Sequence, residues 1–289
     1  MTDTTSQPPL LETPWTRDVP AGLGLRTELS VRSLKYAAMH GLLHERTNGV
    51  IPSILFGCDD RGRHGNFHPA SYQNIRAATS WSRRLDKVHT AYRRSRVRAN
   101  WCWKELDCSN SSDALLMNIF CFPALTVAQP LRVLLGIGPS DRPEFGYRPR
   151  TPFSNGRCDT TEIDMKLGDL LVEAKLTESN FQIADSRLLH RYRDLDTVFE
   201  TAELPLRKGK HIGYQLVRGV LAAYAANASF CVFCDARRPD LIECWFGVIR
   251  AVRLYDLRCR LKLLTWQELA REVPTDLQQF LAQKYGIFP

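Results

Sequence analysis

The spacing of apolar positions predicts an alternation of helices and strands. Leu29, Leu34, Ala38, Leu42 and Leu43 predict a helix over residues 27–45. Asn48-Gly49 then predicts a turn, and residues 50–56 a strand. Trp81, Leu85, Val88 and Tyr92 fall at i, i+4, i+7 and i+11, one stripe of a helix. Ser111-Ser112-Asp113 opens another helix, with hydroxyl capping and an acid in the first turn, and with Leu115, Leu116, Ile119 and Phe120 as its apolar residues. Candidate strands at 131–138 and 144–147 are separated by Gly-Pro-Ser-Asp-Arg-Pro. A hairpin over 161–177 is followed by a charged, weakly patterned stretch to Lys210. Residues 212–226 predict a helix, 229–234 a continuous apolar strand closed by Asp235, 260–264 a strand and 266–284 a final helix, while 241–252 fits either. The order predicts an α/β fold with a mixed sheet and no internal repeat. The polar, Pro-containing residues 1–20 predict a mobile tail.

Composition narrows the class. The 289 residues suffice for one sizeable domain or two small ones, and 44% hydrophobic with 24% charged residues excludes wholesale disorder and a polytopic membrane protein. The most apolar long stretch, Leu115 to Ile137, is too broken by Asn118, Pro123, Gln129, Pro130 and Arg132 to span a membrane. The opening Met-Thr-Asp-Thr-Thr-Ser-Gln-Pro-Pro lacks the basic and apolar regions of a signal peptide. Nine cysteines, several inside apolar runs (Cys121, Cys231, Cys234), predict reduced thiols and a cytoplasmic place.

The net charge of +8 is unevenly spread. Arg83, Arg84, Lys87, Arg93, Arg94, Arg96 and Arg98, opposed only by Asp86, put +6 into residues 83–98, predicted to be helical. Trp81, Tyr92, Trp101 and Trp103 lie nearby. Such a segment suits phosphate contact without sequence readout, with aromatics stacking on exposed bases. The plain alternative is a solvated helix whose aromatics face inward.

Candidate chemistry concentrates in the hairpin. Gly168-Asp169 suits a two-residue turn, pairing Leu167 with Leu170, Met165 with Val172 and Asp164 with Glu173. One face then carries Ile163, Met165, Leu167, Leu170, Val172, Ala174 and Leu176; the other carries Glu162, Asp164, Lys166, Leu171, Glu173 and Lys175. Composition alone favours a solvated charged face. However, opposed Cβ atoms about 5 Å apart would set two carboxylates repelling by roughly 1–3 kcal/mol. A divalent cation between them reverses that sign, and Mg²⁺ takes carboxylate oxygens while keeping waters for a substrate phosphate. Lys175 shares the face, placed to hold a water or to steady developing charge.

Asp164 followed by Glu173-Ala174-Lys175 resembles the PD-(D/E)XK nuclease superfamily, with Ile163 where that pattern has Pro. The surrounding order resembles its αβββαβ core: the helix at Ser111, the hairpin, the helix carrying Tyr214-Gln215 and Arg218, then the strand 229–234. Ser111-Ser-Asp-Ala-Leu-Leu-Met-Asn-Ile-Phe and Glu173-Ala-Lys-Leu-Thr-Glu178 also resemble one restriction-endonuclease-like subgroup. The resemblance covers roughly residues 108–265. It implies Asp164 and Glu173 as ligands of Mg²⁺ (or Mn²⁺), Lys175 as the residue acting on water, and Gln215 near the metal. Relatives often carry one more acid on the first core helix; Asp113, Glu105 and Glu144 are the candidates, left open.

Competing motifs are weaker. Cys58, His64 and His68 lack a paired Cys for a zinc site, and Cys231-Val-Phe-Cys234 sits in an apolar strand. His40 and His44 lack the Glu of a metalloprotease motif. No Gly-rich phosphate loop or Gly-x-Ser-x-Gly elbow occurs. The expectation is therefore a restriction-endonuclease-like α/β core over 108–289, a basic, mostly helical N-terminal region over 21–107, and a tail over 1–20. The expected activity is metal-dependent cleavage of DNA, of restriction or repair type, with RNA as the other candidate substrate, no membrane partner and room for a homodimer. The alternative is a nucleic-acid-binding protein without turnover.

Overall fold

The computed structural model describes residues 21–47, 51–88 and 104–289. The predicted tail 1–20, the Asn48-Gly49 turn and Arg93, Arg94, Arg96 and Arg98 lie outside the described residues. A five-stranded mixed sheet forms the centre. Strands β1 (Pro143–Tyr147), β2 (Ile163–Leu167) and β3 (Leu170–Ala174) make an antiparallel meander. Strands β4 (Ser229–Cys234) and β5 (Leu261–Thr265) extend it in parallel, giving the order β5-β4-β3-β2-β1.

The main helices are α1 (Ala21–His40), α2 (Pro69–Ala77), α3 (Ser112–Phe120), α4 (Gln129–Leu135), α5 (Tyr214–Ala225), α6 (Pro239–Arg250), α7 (Trp266–Arg271) and α8 (Thr275–Tyr285). The run α3-β1-β2-β3-α5-β4 is the αβββαβ order expected of a restriction-endonuclease-like core.

Both faces of the sheet are covered, which explains why β3 and β4 are buried along nearly their whole length, while β2 is buried at alternate positions. On one face Met165, Leu167, Leu170, Val172, Cys231 and Phe233 pack with α1, α3, α4, α7 and α8. On the other, Leu171, Phe230, Val232 and Cys234 pack with α5, α6 and residues of the segment 181–204. Cys231 and Cys234 thus serve opposite cores.

The hairpin forms in the predicted register, Leu167 opposite Leu170 and Met165 opposite Val172, with Gly168 at φ +59° in its turn. One face assignment differs: Ile163 joins the core of Leu171, not that of Met165. Glu173 and Lys175 are buried instead of solvated.

Other differences have identifiable causes. Residues 131–138 form no strand; α4 starts with Pro in its first turn and stops at Gly136, the signature of a helix with Leu131 and Leu135 inward. The first helix runs earlier than predicted, because the chain turns at Gly41 and His44–Arg46 pairs with Ile54–Phe56. The ambiguous 241–252 is helical. Pro274 divides the final helix into α7 and α8.

Of the predicted helix over 83–98 the described part, Arg83–Asp86, is one 3-10 turn. Lys87 is extended, Val88 bridges Lys104, and the Glu105 amide donates to the Lys87 carbonyl (2.7 Å). Trp81 and Leu85 keep their inward packing, and Trp81 Nε1 donates to the Pro143 carbonyl of β1 (2.9 Å).

The described cysteines are unpaired, with Cys58 and Cys259 exposed; Cys102 lies outside the described residues. Burial pushes the thiol of Cys108 up to about 11 and that of Cys234 up to about 12. Thiolate is the reactive form. A thiol reagent on the native protein is therefore expected to label Cys58 and Cys259 fast and Cys108, Cys231 and Cys234 only after unfolding. Denatured, never-reduced protein should titrate nine thiols; seven or fewer would contradict the reduced state.

Candidate active site at the open end of the hairpin

Asp164, Glu173 and Lys175 are brought together by β2 and β3. The described pairing of these strands ends at Met165–Val172, and beyond it Asp164 Oδ2 accepts from the Ala174 amide (2.7 Å). The hairpin therefore opens at the position where the two carboxylates were expected to oppose, and a side chain replaces the backbone ladder. On the other side β3 is fixed from far along the chain. The Lys175 amide donates to the Phe233 carbonyl (2.8 Å), and Trp266 Nε1 donates to the Lys175 carbonyl (2.9 Å).

Lys175 Nζ donates to Glu173 Oε1 (2.6 Å), and both residues are buried. Burial alone would lower the lysine pKa, but Glu173, Asp164 and Glu178 together hold it above the ordinary value. Lys175 is thus held as an ammonium beside Glu173. Burial, then the charge of Glu173, then that of Asp113 push the Asp164 carboxyl well above the usual carboxylate range. The like-charge repulsion anticipated in the hairpin is present, and Lys175 only partly offsets it.

Asp113 sits in the first turn of α3, whose N-cap Ser111 accepts from the Ala114 amide (3.2 Å). The start of α3 is tied to the end of the active strand. Ser112 donates to Glu178 Oε1 (2.6 Å), Glu178 Oε2 accepts from the Leu176 amide (2.6 Å), and Asn110 donates to Thr177 (2.9 Å). Asn110 apart, these residues belong to the two stretches that carried the subgroup resemblance.

Pattern reading did not reveal a second ionic layer. Arg84 donates to Asp113 Oδ2 (2.9 Å) and Glu162 Oε1 (2.8 Å), and Lys87 donates to the same two oxygens (3.1 Å each). Arg83 is exposed and instead lines a cavity of about 530 Å³ with Cys58, His64, Tyr72 and Arg76. Gln215 lies in the first turn of α5. Its backbone amide donates to the Phe181 carbonyl (2.9 Å), and the Phe181 ring lies 5.7 Å from Lys175 Nζ.

The zinc candidates are engaged separately. Cys58 contacts the Tyr72 hydroxyl (2.9 Å), His64 Nε2 meets Asp107 (3.1 Å), and His68 accepts from Ala70 at the start of α2 (3.2 Å). Among the described residues no three His, Cys, Asp or Glu side chains gather into a ready metal cage. Asp164 and Glu173 offer hard oxygen donors that repel each other. That fits Mg²⁺, which is commonly held by one or two carboxylates, with waters and substrate phosphate completing its shell.

No described helix is long and apolar enough to cross a membrane. No curated protein and no solved structure matches the chain. A family model does match, over residues 39–286, and its description is a restriction endonuclease associating with ARP. That match takes in the whole site and nearly all of the described chain, so the protein belongs to this restriction endonuclease family, within the PD-(D/E)XK superfamily, and its family chemistry is cleavage of DNA.

Proposed function

We propose that the protein is a Mg²⁺- or Mn²⁺-dependent DNA endonuclease of the restriction type, with Asp164 and Glu173 as metal ligands. The observation that carries this reading is the convergence of Asp164, Glu173 and Lys175 at one opened hairpin end, in a chain of a restriction endonuclease family. When bound, the ion would polarise the scissile phosphate and lower the pKa of the attacking water.

The chain's own residues do the rest. Lys175, held protonated, keeps N–H donors for the attacking water or for charge developing on phosphorus-bound oxygen. Asp113, near enough for its charge to act on Asp164, is the best candidate for the extra acid on the first core helix. Gln215, in the first turn of α5, is proposed as a further residue near the metal. The family description suggests that the enzyme works with the component it names ARP. Free thiols fit a cytoplasmic place. A plasmid-nicking assay with Mg²⁺ against EDTA tests the proposal: cleavage in Mg²⁺ alone is expected, and equal cleavage in both refutes metal dependence.

Arg83, Arg93, Arg94, Arg96 and Arg98 are proposed as phosphate contacts. Changing Arg93, Arg94, Arg96 and Arg98 together to Ala should weaken binding to all DNA sequences. It should also flatten the log Kd–log salt slope by roughly 3–4, about 0.9 per lost contact. An unchanged slope removes the segment from the DNA-binding surface.

A further inference from the structure

The Arg84–Lys87 pair is seated in an unusual way. Both cations bind the same two carboxylate oxygens, Asp113 Oδ2 and Glu162 Oε1, beside Asp164. Arg84 reaches them across Gly146 of β1, which lies at φ +69° and where a Cβ would collide with the guanidinium. The path thus exists only because that strand position carries no side chain. Arg84 Nε is buried without a hydrogen-bond partner among the described residues, so the guanidinium keeps an unspent donor in this seat. Lys87 is about one-third exposed and faces solvent from the same cluster.

We propose that Arg84 and Lys87 are exchange cations. In the free protein they neutralise Asp113 and Glu162; when a divalent ion binds at Asp164 and Glu173 they turn outward to the DNA phosphate. This rests on the metal site proposed above and adds the coupling of metal binding to DNA binding. The physical basis is competition for charge. A divalent ion at Asp164 repels Arg84, whose charge already interacts with Asp164, and attracts Asp113. Each charge-assisted bond lost to a carboxylate is replaced by one to a phosphate oxygen, the acceptor Arg fits best. Without the ion, phosphate must win these cations from two carboxylates; with it, they are already loosened. By linkage, DNA must strengthen metal binding by the same factor.

The test uses the full chain and two probes. Calorimetric titration with Mg²⁺ in the absence of DNA compares wild type with Arg84→Gln/Lys87→Gln. Fluorescence anisotropy measures binding of a short DNA duplex with and without Ca²⁺, which takes the same oxygen ligands. The double variant should bind Mg²⁺ about fivefold or more tightly than wild type, because no resident cations oppose the ion. In wild type Ca²⁺ should strengthen DNA binding about tenfold, and in the double variant less than about twofold.

A merely structural pair is told apart by the DNA arm: losing its charges still tightens Mg²⁺, but Ca²⁺ then strengthens DNA binding equally in both proteins, which overturns the exchange. If circular dichroism shows the double variant unfolded, Lys87→Gln alone decides. It keeps the Arg84 bridge and should bind Mg²⁺ about twofold more tightly. Equal or weaker Mg²⁺ binding in a folded variant overturns the exchange and leaves the metal site standing. No Mg²⁺ uptake by wild type overturns both.

Discussion

Asp164→Asn is expected to lower Mg²⁺-dependent cleavage by on the order of a thousandfold or more, while leaving the fold intact or slightly more stable. The two effects have one source. Asp164 is held near Glu173 and Asp113, and its carboxyl is pushed well above the usual range by burial and by those charges. Asn removes one of three mutually repelling acids, yet keeps an oxygen that can accept from the Ala174 amide as Asp164 does now (2.7 Å). Relief of that burial and repulsion makes a small rise in melting temperature the expected sign. Mg²⁺ should raise the wild-type melting temperature by binding the native state and should do so much less in the variant. Equal Mg²⁺ shifts in calorimetry for the two proteins would eliminate the metal site.

Lys175→Met should be costly in both stability and activity. Glu173 is 2% exposed, and among the described residues its charge-assisted partner is Lys175 at 2.6 Å. Removing one partner of a buried pair leaves an uncompensated charge and costs about 3–5 kcal/mol. Replacing both partners is cheaper, so Glu173→Gln/Lys175→Met should recover most of that loss in urea unfolding. Neither protein should cleave, because the first lacks the ammonium and the second also lacks the ligand. A double variant no more stable than the single one would show that the pair is not what holds this strand end.

What was legible in the sequence follows the range of the interactions. The hairpin was readable because Gly168-Asp169 and the period-two alternation around it are local, and they set Leu167 opposite Leu170. Strand 229–234 was readable because a strand buried on both faces is apolar without a break. Residues 131–138 were misread because their apolar run suits either element, and the deciding signs are Pro130 at the start and Gly136 past the end. The Asp164, Glu173 and Lys175 motif was legible, but not the pairing inside it, with Lys175 turned to Glu173 at 2.6 Å. Least legible was the role of Arg84 and Lys87. Their acids lie 26 to 78 residues away, so spacing within 83–98 showed only a basic stripe.

The anchoring of β3 also dictates when, during synthesis, a DNA-cutting site can exist. The hairpin bearing Asp164 and Glu173 can close as soon as it is made, since its partners are neighbours in the chain. The other edge of β3 waits for β4, and the carbonyl of Lys175 waits for Trp266, 91 residues further on. Parallel pairing across such a span is slow, because the loop must close before any contact compensates for it. A growing or prematurely terminated chain therefore carries Asp164 and Glu173 without the frame that aligns them. If these residues cut DNA as proposed, competence arrives only with the last two strands and the tryptophan that follows them.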